Sequence, residues 1–239
     1  MARKVLLLGG SSDLALSYLE QEEWTEADEI VLHYYQHEPK LDLPAKVHYI
    51  QADFTNTASI TEFVEKLRAL DFVPTHLLHA AQPLLKNERF TKIPFETFLS
   101  DMTASVYSLT LILQKLLPEM AKARRGKVVL ILSSMVEGTP PKFCASYITS
   151  KYALMGLGKA LAAEYAPKGI SINLLSPSLM ETKFLAHCNH LVAETARAAN
   201  PMGRNCEPGD VAAAIKFLFS DAAGFITGTN TAITGGEVM

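Results

Sequence analysis

The sequence predicts an α/β protein built on one doubly wound, mostly parallel sheet of about seven strands, with helices on both faces. Three observations predict it. Short apolar runs of strand length alternate with longer stretches of helical pattern along the chain. Most of those runs are apolar at every position rather than every second one, as in strands buried on both faces of a parallel sheet. The first run breaks at a Gly-Gly-Ser-Ser turn, and a helical pattern follows at once.

In chain order the expected strands are KVLLL (4–8), EIVLHYY (29–35), VHYIQA (47–52), HLLHAA (76–81), KVVLIL (127–132), ISINLLS (170–176) and NTAITG (230–235). Helices are expected over roughly 14–23, 57–70, 95–123, 146–166 and 208–220. Strand, helix, strand in succession calls for right-handed crossovers and a Rossmann-type sheet. No repeat, low-complexity run or linker divides the chain, so residues 1–239 read as a single domain. The stretch 178–208 interrupts the rhythm. It follows the carboxyl end of a strand, where open α/β sheets bind ligands, and is a candidate substrate lid. Extra surface helices without that role are the alternative.

Of the 239 residues, 49% are apolar and 20% charged, which suits a globular chain with a large core. A net charge of −3 offers no basic face for nucleic acid. The longest apolar runs fall far short of the ~20 residues that span a bilayer. The amino terminus MARKVLLLGG starts basic, but its short apolar stretch runs into the glycine turn, unlike a secretory signal. A soluble, cytoplasmic protein is expected. Cys144, Cys188 and Cys206 are an odd set without paired spacing and read as free thiols. The HCNH stretch (187–190) lacks a second cluster at usable spacing, so no metal is expected.

The turn GGSSDLA (9–15) reads either as an anion site or as a plain turn with a helix cap. Backbone N–H groups at a helix start carry the positive end of the helix dipole. Gly9 permits a sharp turn, and Ser11 and Ser12 add hydroxyl donors. Asp13 is ambiguous: as an N-cap it would stabilise the helix by about 0.5–2 kcal/mol, yet its charge would sit near a phosphate. At the end of the second strand, an acid would bond a ribose and repel a 2′-phosphate. Here Tyr34, Tyr35 and Gln36 are uncharged, and Glu38 lies beyond the expected contact point. That favours NADP(H), with NAD(H) the alternative, since no arginine stands nearby for the extra phosphate. Asp53 ends the third strand, where it can bond an adenine amino group or merely cap a turn.

The strongest signal comes later, in ILSSMVEGTPPKFCASYITSK (131–151). Tyr147 and Lys151 stand four apart, on one face of a helix. A phenol has an ordinary pKa near 10 and is a poor acid or base at neutral pH. A neighbouring ammonium is expected to lower it, letting Tyr147 exchange a proton with a carbonyl or alcohol oxygen. Ser134, at a strand's carboxyl end, can bond the same oxygen.

These residues resemble the short-chain dehydrogenase/reductase family, and within it the 3-oxoacyl-[acyl-carrier-protein] reductases. Ser134, Tyr147 and Lys151 match the family's Ser and Tyr-x-x-x-Lys set at its usual spacing. GISINLLSPSLMET (169–182) resembles the segment leading to the nicotinamide, with Pro177 and Thr182 in place, and residues 201–236 resemble the family's C-terminal third. The resemblance implies a dinucleotide held by Gly9, Ser11, Ser12, Asp13 and Leu14 in the first loop and by Tyr34, Asp53 and Phe54 at the next strand ends. It also implies contacts from Ala80, Ala81, Tyr147, Lys151, Pro177 and Thr182. A homotetramer or homodimer built on the two long helices is implied as well.

The departures are specific. The family's Thr-Gly-x-x-x-Gly-x-Gly becomes Leu8, Gly9, Asp13 and Ala15, and its Asn-Asn-Ala-Gly becomes His79, Ala80, Ala81 and Gln82. Its helix asparagine, which helps hold a relay water, falls on Ser105, and its Pro-Gly is Pro177-Ser178. The expectation is therefore NADP(H)-dependent reduction of a ketone, such as a 3-oxoacyl thioester, by hydride transfer. The alternative is a family member turned binding or structural subunit. Phe184, Leu185, Leu191, Val192 and Met202 in the candidate lid suggest a partly apolar substrate or, equally, packing against the core. A methyltransferase would leave the Tyr147–Lys151 pair without a task.

Overall fold

The structure, a computed structural model, describes residues 2–82, 84–183 and 190–237. Seven strands form one sheet: β1 Lys4–Leu8, β2 Glu29–Tyr34, β3 Lys46–Gln51, β4 His76–His79, β5 Gly126–Ile131, β6 Ile170–Pro177 and β7 Asn230–Ile233. Their order is β3-β2-β1-β4-β5-β6-β7, and each of these pairings is parallel. The helices are α1 Asp13–Gln21, α2 Thr57–Ala69, α3 Phe95–Met102, α4 Ser108–Lys122, α5 Ala145–Tyr165, α6 His190–Ala199 and α7 Pro208–Phe219. Among the described residues no helix is long and apolar enough to cross a membrane.

The continuous apolar strands have a direct cause. Successive side chains of a strand point to opposite faces. Leu6 and Leu8 of β1 join one core with Phe63, Leu109 and Leu154, while Val5 and Leu7 join the other with Tyr18, Val211 and Ile215. All four β1 side chains are fully buried. Each contributes about 1.5–3 kcal/mol by leaving water, so neither face tolerates a polar residue.

Local signals set the helix ends. Ser12 is extended and its Oγ accepts the Ala15 N–H, so Ser12, not Asp13, caps α1. Asp13 is the first helical residue. Asn56 caps α2 by accepting from the N–H groups of Ala58 and Ser59. Pro208 opens α7, where its missing N–H costs nothing.

The helix expected over 95–123 is interrupted. A π turn, Thr103–Tyr107, separates α3 from α4. Side chains draw its carbonyls away from the regular ladder: Ser108 Oγ donates to the Ala104 carbonyl at 2.7 Å and Thr110 Oγ1 to that of Val106 at 2.8 Å. His79 Nε2 reaches the Ser105 carbonyl at 2.8 Å. Strand β4 stops at His79, two residues short of its expected end.

The strand order reverses direction between β1 and β4, and ligands of such sheets bind at the carboxyl ends beside that switch point. Gly158 lets α5 lie close on the sheet: a Cβ there would stand 2.9 Å from both Leu130 Cδ1 and Leu174 Cδ2. The helix carrying Tyr147 and Lys151 is thereby pressed onto β5 and β6.

Candidate active site

The loop after β1 is shaped by one close approach. Gly9 has φ +80, and a Cβ there would stand 2.7 Å from the Ala81 nitrogen and 2.8 Å from the Ala80 carbonyl carbon. The loop thus rests on the chain leaving β4, bringing Gly9, Ala80 and Ala81 together. Among the described residues, the N–H groups of Ser11, Asp13 and Leu14 bond to nothing within the chain. Unpartnered N–H groups at a helix start form an anion site. Ser12 Oγ already accepts one bond as a cap, which leaves its O–H to donate and one further acceptor site.

Asp13 does not stand free in that site. Its Oδ2 accepts the Lys183 N–H at 2.8 Å, and its Oδ1 lies 3.2 Å from Lys183 Nζ. The carboxylate ties the cofactor-type loop to the start of the 178–208 segment. Pro177 is buried at the end of β6, paired with Ile233, and Thr182 follows with its N–H on the Met180 carbonyl. The base of the segment is pinned at both ends: Met180 bridges Cys206, and Asn200 Nδ2 donates to the Thr234 carbonyl at 2.8 Å. Phe184, Leu185 and Cys188 lie outside the described residues, as does most of the HCNH stretch.

At the end of β2 the Glu38 carboxylate raises the Tyr34 pKa, so a negative charge lies near a strand end that reads as uncharged. Asp53 Oδ1 accepts both the N–H and the hydroxyl of Thr55, at 2.9 and 2.7 Å, in an Asx turn. Phe54 is buried and stacked face to face on His33, with ring centroids 3.7 Å apart.

Tyr147 and Lys151 are both buried near the carboxyl end of β5. Lys151 Nζ donates to the Ile131 carbonyl at 2.9 Å and lies 5.5 Å from the centre of the Tyr147 ring. Burial pushes the Lys151 ammonium down to about 7, with Asp101 pulling the other way. The expectation that Lys151 lowers the Tyr147 pKa is not met in this state. Burial dominates and pushes the phenol up to about 12, opposed by a hydrogen bond from Ser133. The phenol is therefore held protonated, the form that donates.

Ser133 is thus a second hydroxyl acting on Tyr147, one that the sequence reading did not single out, while Ser134 sits half-buried one residue on, at the start of a short 3-10 turn. The Ser-Ser doublet was the visible signal for two hydroxyls. Asp101 was also missed. It is buried in α3, bonds Ser146, and burial raises its pKa. An acid within FETFLSDM was the available clue. Ser105 is fully buried, and His79 Nδ1, Ser105 Oγ and both polar atoms of the Gln82 amide bond to nothing among the described residues. These orphaned groups give the departures from the family pattern a polar chemistry of their own. Among the described residues no cluster of three metal-ligating side chains occurs.

The all-parallel sheet, the anion loop at its switch point and the Tyr-Lys helix define a Rossmann-like α/β protein. A family model described as enoyl-(acyl carrier protein) reductase matches residues 24–237. The chain belongs to the short-chain dehydrogenase/reductase family of oxidoreductases. It is 31% identical, over 77% of its own length and 72% of the relative's, to 3-oxoacyl-[acyl-carrier-protein] reductase FabG of Buchnera aphidicola. It is 26% identical, over 81% and 77% of the two chains, to acetoacetyl-CoA reductase of an Acinetobacter strain. In fold it is similar to 4-hydroxyisoleucine dehydrogenase solved with NADH, with a TM-score of 0.84, 22% identity and 98% of each chain covered.

Proposed function

We propose that this chain is an NADP(H)-dependent oxidoreductase that reduces a ketone to a secondary alcohol, with 3-oxoacyl thioesters the first substrate class to try. The single observation that carries the reading is the buried Tyr147–Lys151 pair, held at the strand ends beside a loop with three unpartnered N–H groups. The residues fit a nicotinamide dinucleotide. The N–H groups of Ser11, Asp13 and Leu14 suit its diphosphate, and Gly9, Ala80 and Ala81, packed close together, present no bulky side chain to it. Asp53 and Phe54 stand at the adenine end, and Pro177 and Thr182 at the nicotinamide end. When bound, the cofactor supplies or accepts the hydride.

The chain's own residues handle the proton. Tyr147 donates from its phenol to the carbonyl oxygen, and Ser134 holds that oxygen. Ser133 orients the phenol. Lys151 holds the ribose and, with a pKa brought near neutrality, returns a proton to Tyr147. The Ser105 hydroxyl, buried and without a partner among the described residues, is the further group proposed for that proton path. Residues 1–239 act as one domain with 178–208 as its lid, in a cytoplasmic homotetramer or homodimer. The names of the two reductase relatives support the substrate class, since both act on a 3-oxoacyl thioester.

A second reading of the cofactor is NAD(H). Glu38 acts on Tyr34 near the end of β2, and a carboxylate at that strand end would disfavour a 2′-phosphate. Fluorescence titration with NADPH and NADH side by side separates the two. Binding of neither overturns the enzyme reading in favour of a binding or structural subunit. Tyr147→Phe is expected to lower ketone turnover about 10²–10⁴-fold while cofactor binding persists. Full turnover in that variant would remove Tyr147 from the proton step.

A further inference from the structure

The two glycines of the β1 loop are held by a single residue of the neighbouring strand. The Gly9 N–H donates to His33 Nδ1 at 3.0 Å, and the Gly10 N–H donates to the His33 carbonyl at 2.8 Å. The other ring nitrogen, Nε2, lies 3.0 Å from the Ala52 carbonyl at the end of β3. A carbonyl only accepts, so Nε2 carries the hydrogen and Nδ1 is left as an acceptor. The tautomer is dictated from both sides. The ring is 4% exposed, stacked on Phe54 at 2° between planes and met edge-on by Phe63 at 5.5 Å.

An apolar side chain would fill this space as well as an imidazole. What it could not do is satisfy two backbone groups on two different strand ends at once. A buried acceptor or donor left unpaired is costly, so the match is specific. It also divides the loop's N–H groups. Those of Gly9 and Gly10 are consumed by His33, that of Ser12 by the Gly9 carbonyl at 3.1 Å, and that of Ala15 by the Ser12 cap. The N–H groups of Ser11, Asp13 and Leu14 remain without a partner in the chain.

We propose that His33 is a positioning residue of the cofactor loop. Its neutral imidazole grips the Gly9 N–H and fixes the left-handed turn, and that turn presents the N–H groups of Ser11, Asp13 and Leu14 to the diphosphate of the dinucleotide. This rests on the reading that the loop holds a dinucleotide. His33 acts through the loop and touches no reacting atom.

Three variants separate the two ring nitrogens. His33→Phe keeps the stack on Phe54 and loses both. His33→Asn places an amide oxygen near the position of Nδ1, and His33→Gln places an amide nitrogen near that of Nε2. Cofactor affinity, by fluorescence with whichever of NADPH and NADH the wild type binds, is expected to weaken about tenfold in the Phe and Gln variants, the worth of one buried hydrogen bond. Asn is expected to recover most of that loss. Turnover at saturating cofactor is expected to change little in any variant, a split that general loss of structure would not give. Wild-type affinity in His33→Phe, or no advantage of Asn over Gln, overturns the proposal.

A second measurement needs no variant. In ¹⁵N-labelled protein, His33 is expected to show a protonated Nε2, an unprotonated Nδ1 and a scalar coupling from Nδ1 to the Gly9 amide. A protonated Nδ1 or a missing coupling overturns the grip on Gly9. If the wild type binds neither nucleotide while the coupling is present, the dinucleotide reading fails and the structural grip stands.

Discussion

Ser133 and Ser134 are neighbours in the chain with different surroundings. Ser133 is buried, caps the turn that follows by accepting the Met135 N–H at 3.3 Å, and bonds the Tyr147 phenol. Ser134 is more open and is the serine proposed above to hold the substrate oxygen. Their removal should therefore read differently. Ser133→Ala takes a donor away from the phenolate form and raises the Tyr147 pKa further. The alkaline limb of the kcat/KM profile is expected to move to higher pH. Ser134→Ala is expected to lower kcat about 10²-fold, as loss of an oxyanion-type donor does, without moving that limb. A pH–rate profile of both variants decides between these roles. Equal, unshifted losses would place both hydroxyls on the substrate.

At the scale of elements, the contact that sequence reading could only pose as a question is Asp13. One carboxylate joins the start of α1 to Lys183, 170 residues away in the chain. The bond to the Lys183 N–H fixes the start of the 178–208 segment, while the pairing with Lys183 Nζ is largely solvent-exposed and weak. Asp13→Asn keeps an oxygen for that N–H and removes the charge beside the loop's unpartnered N–H groups. NADPH affinity is expected to improve about two- to fivefold, with the gain shrinking at high salt. Isothermal titration at two ionic strengths checks it. A weaker affinity would mean that the charge is needed to hold the start of that segment in place. The π turn is the other element-scale feature. It appears where His79 reaches the Ser105 carbonyl, linking the end of β4 to the helix facing the site, and such turns gather at functional sites.

For the whole molecule, three buried histidines couple stability to pH. Burial pushes His33 and His76 down to about 4 and His79 to about 3. In the unfolded chain these groups titrate near 6.5. Between about 6.5 and about 4 the unfolded state therefore binds more protons, and stability falls as pH drops through that window. Above it the contribution is fully present. The Tm is expected to decline steadily from about pH 7 to about pH 4.5, and His76→Gln, away from the site, is expected to make the slope shallower. Calorimetry at matched ionic strength tests this. A flat Tm over the window would mean that the rings are protonated or solvated in the fold.

Much of the frame was legible because it is encoded locally. The apolar runs marked the strands, since a strand covered on both faces has no polar side to show. Gly9 was legible because a left-handed turn needs glycine, and Tyr147 and Lys151 because four residues return a helix to the same face. Less legible were the groups whose meaning depends on register. His33 in EIVLHYY reads as one more residue of a buried strand, and Asp101 as a polar residue on a helix. Nothing local said that Ser12 rather than Asp13 would cap α1, because both residue types cap well.

By itself, then, the sequence determined the order of strands and helices, their burial on two faces, and the placing of a Tyr-Lys pair and a glycine turn at strand ends. The tertiary structure decided which groups meet: Ser133 with Tyr147, Asp13 with Lys183, His33 with Gly9 and Ala52. The reason is physical. Periodicity, capping and turn preference act over a few residues and leave their pattern in the chain. A hydrogen bond between residues 24 or 170 positions apart exists only once parallel strands have fixed their register and brought the carboxyl ends side by side.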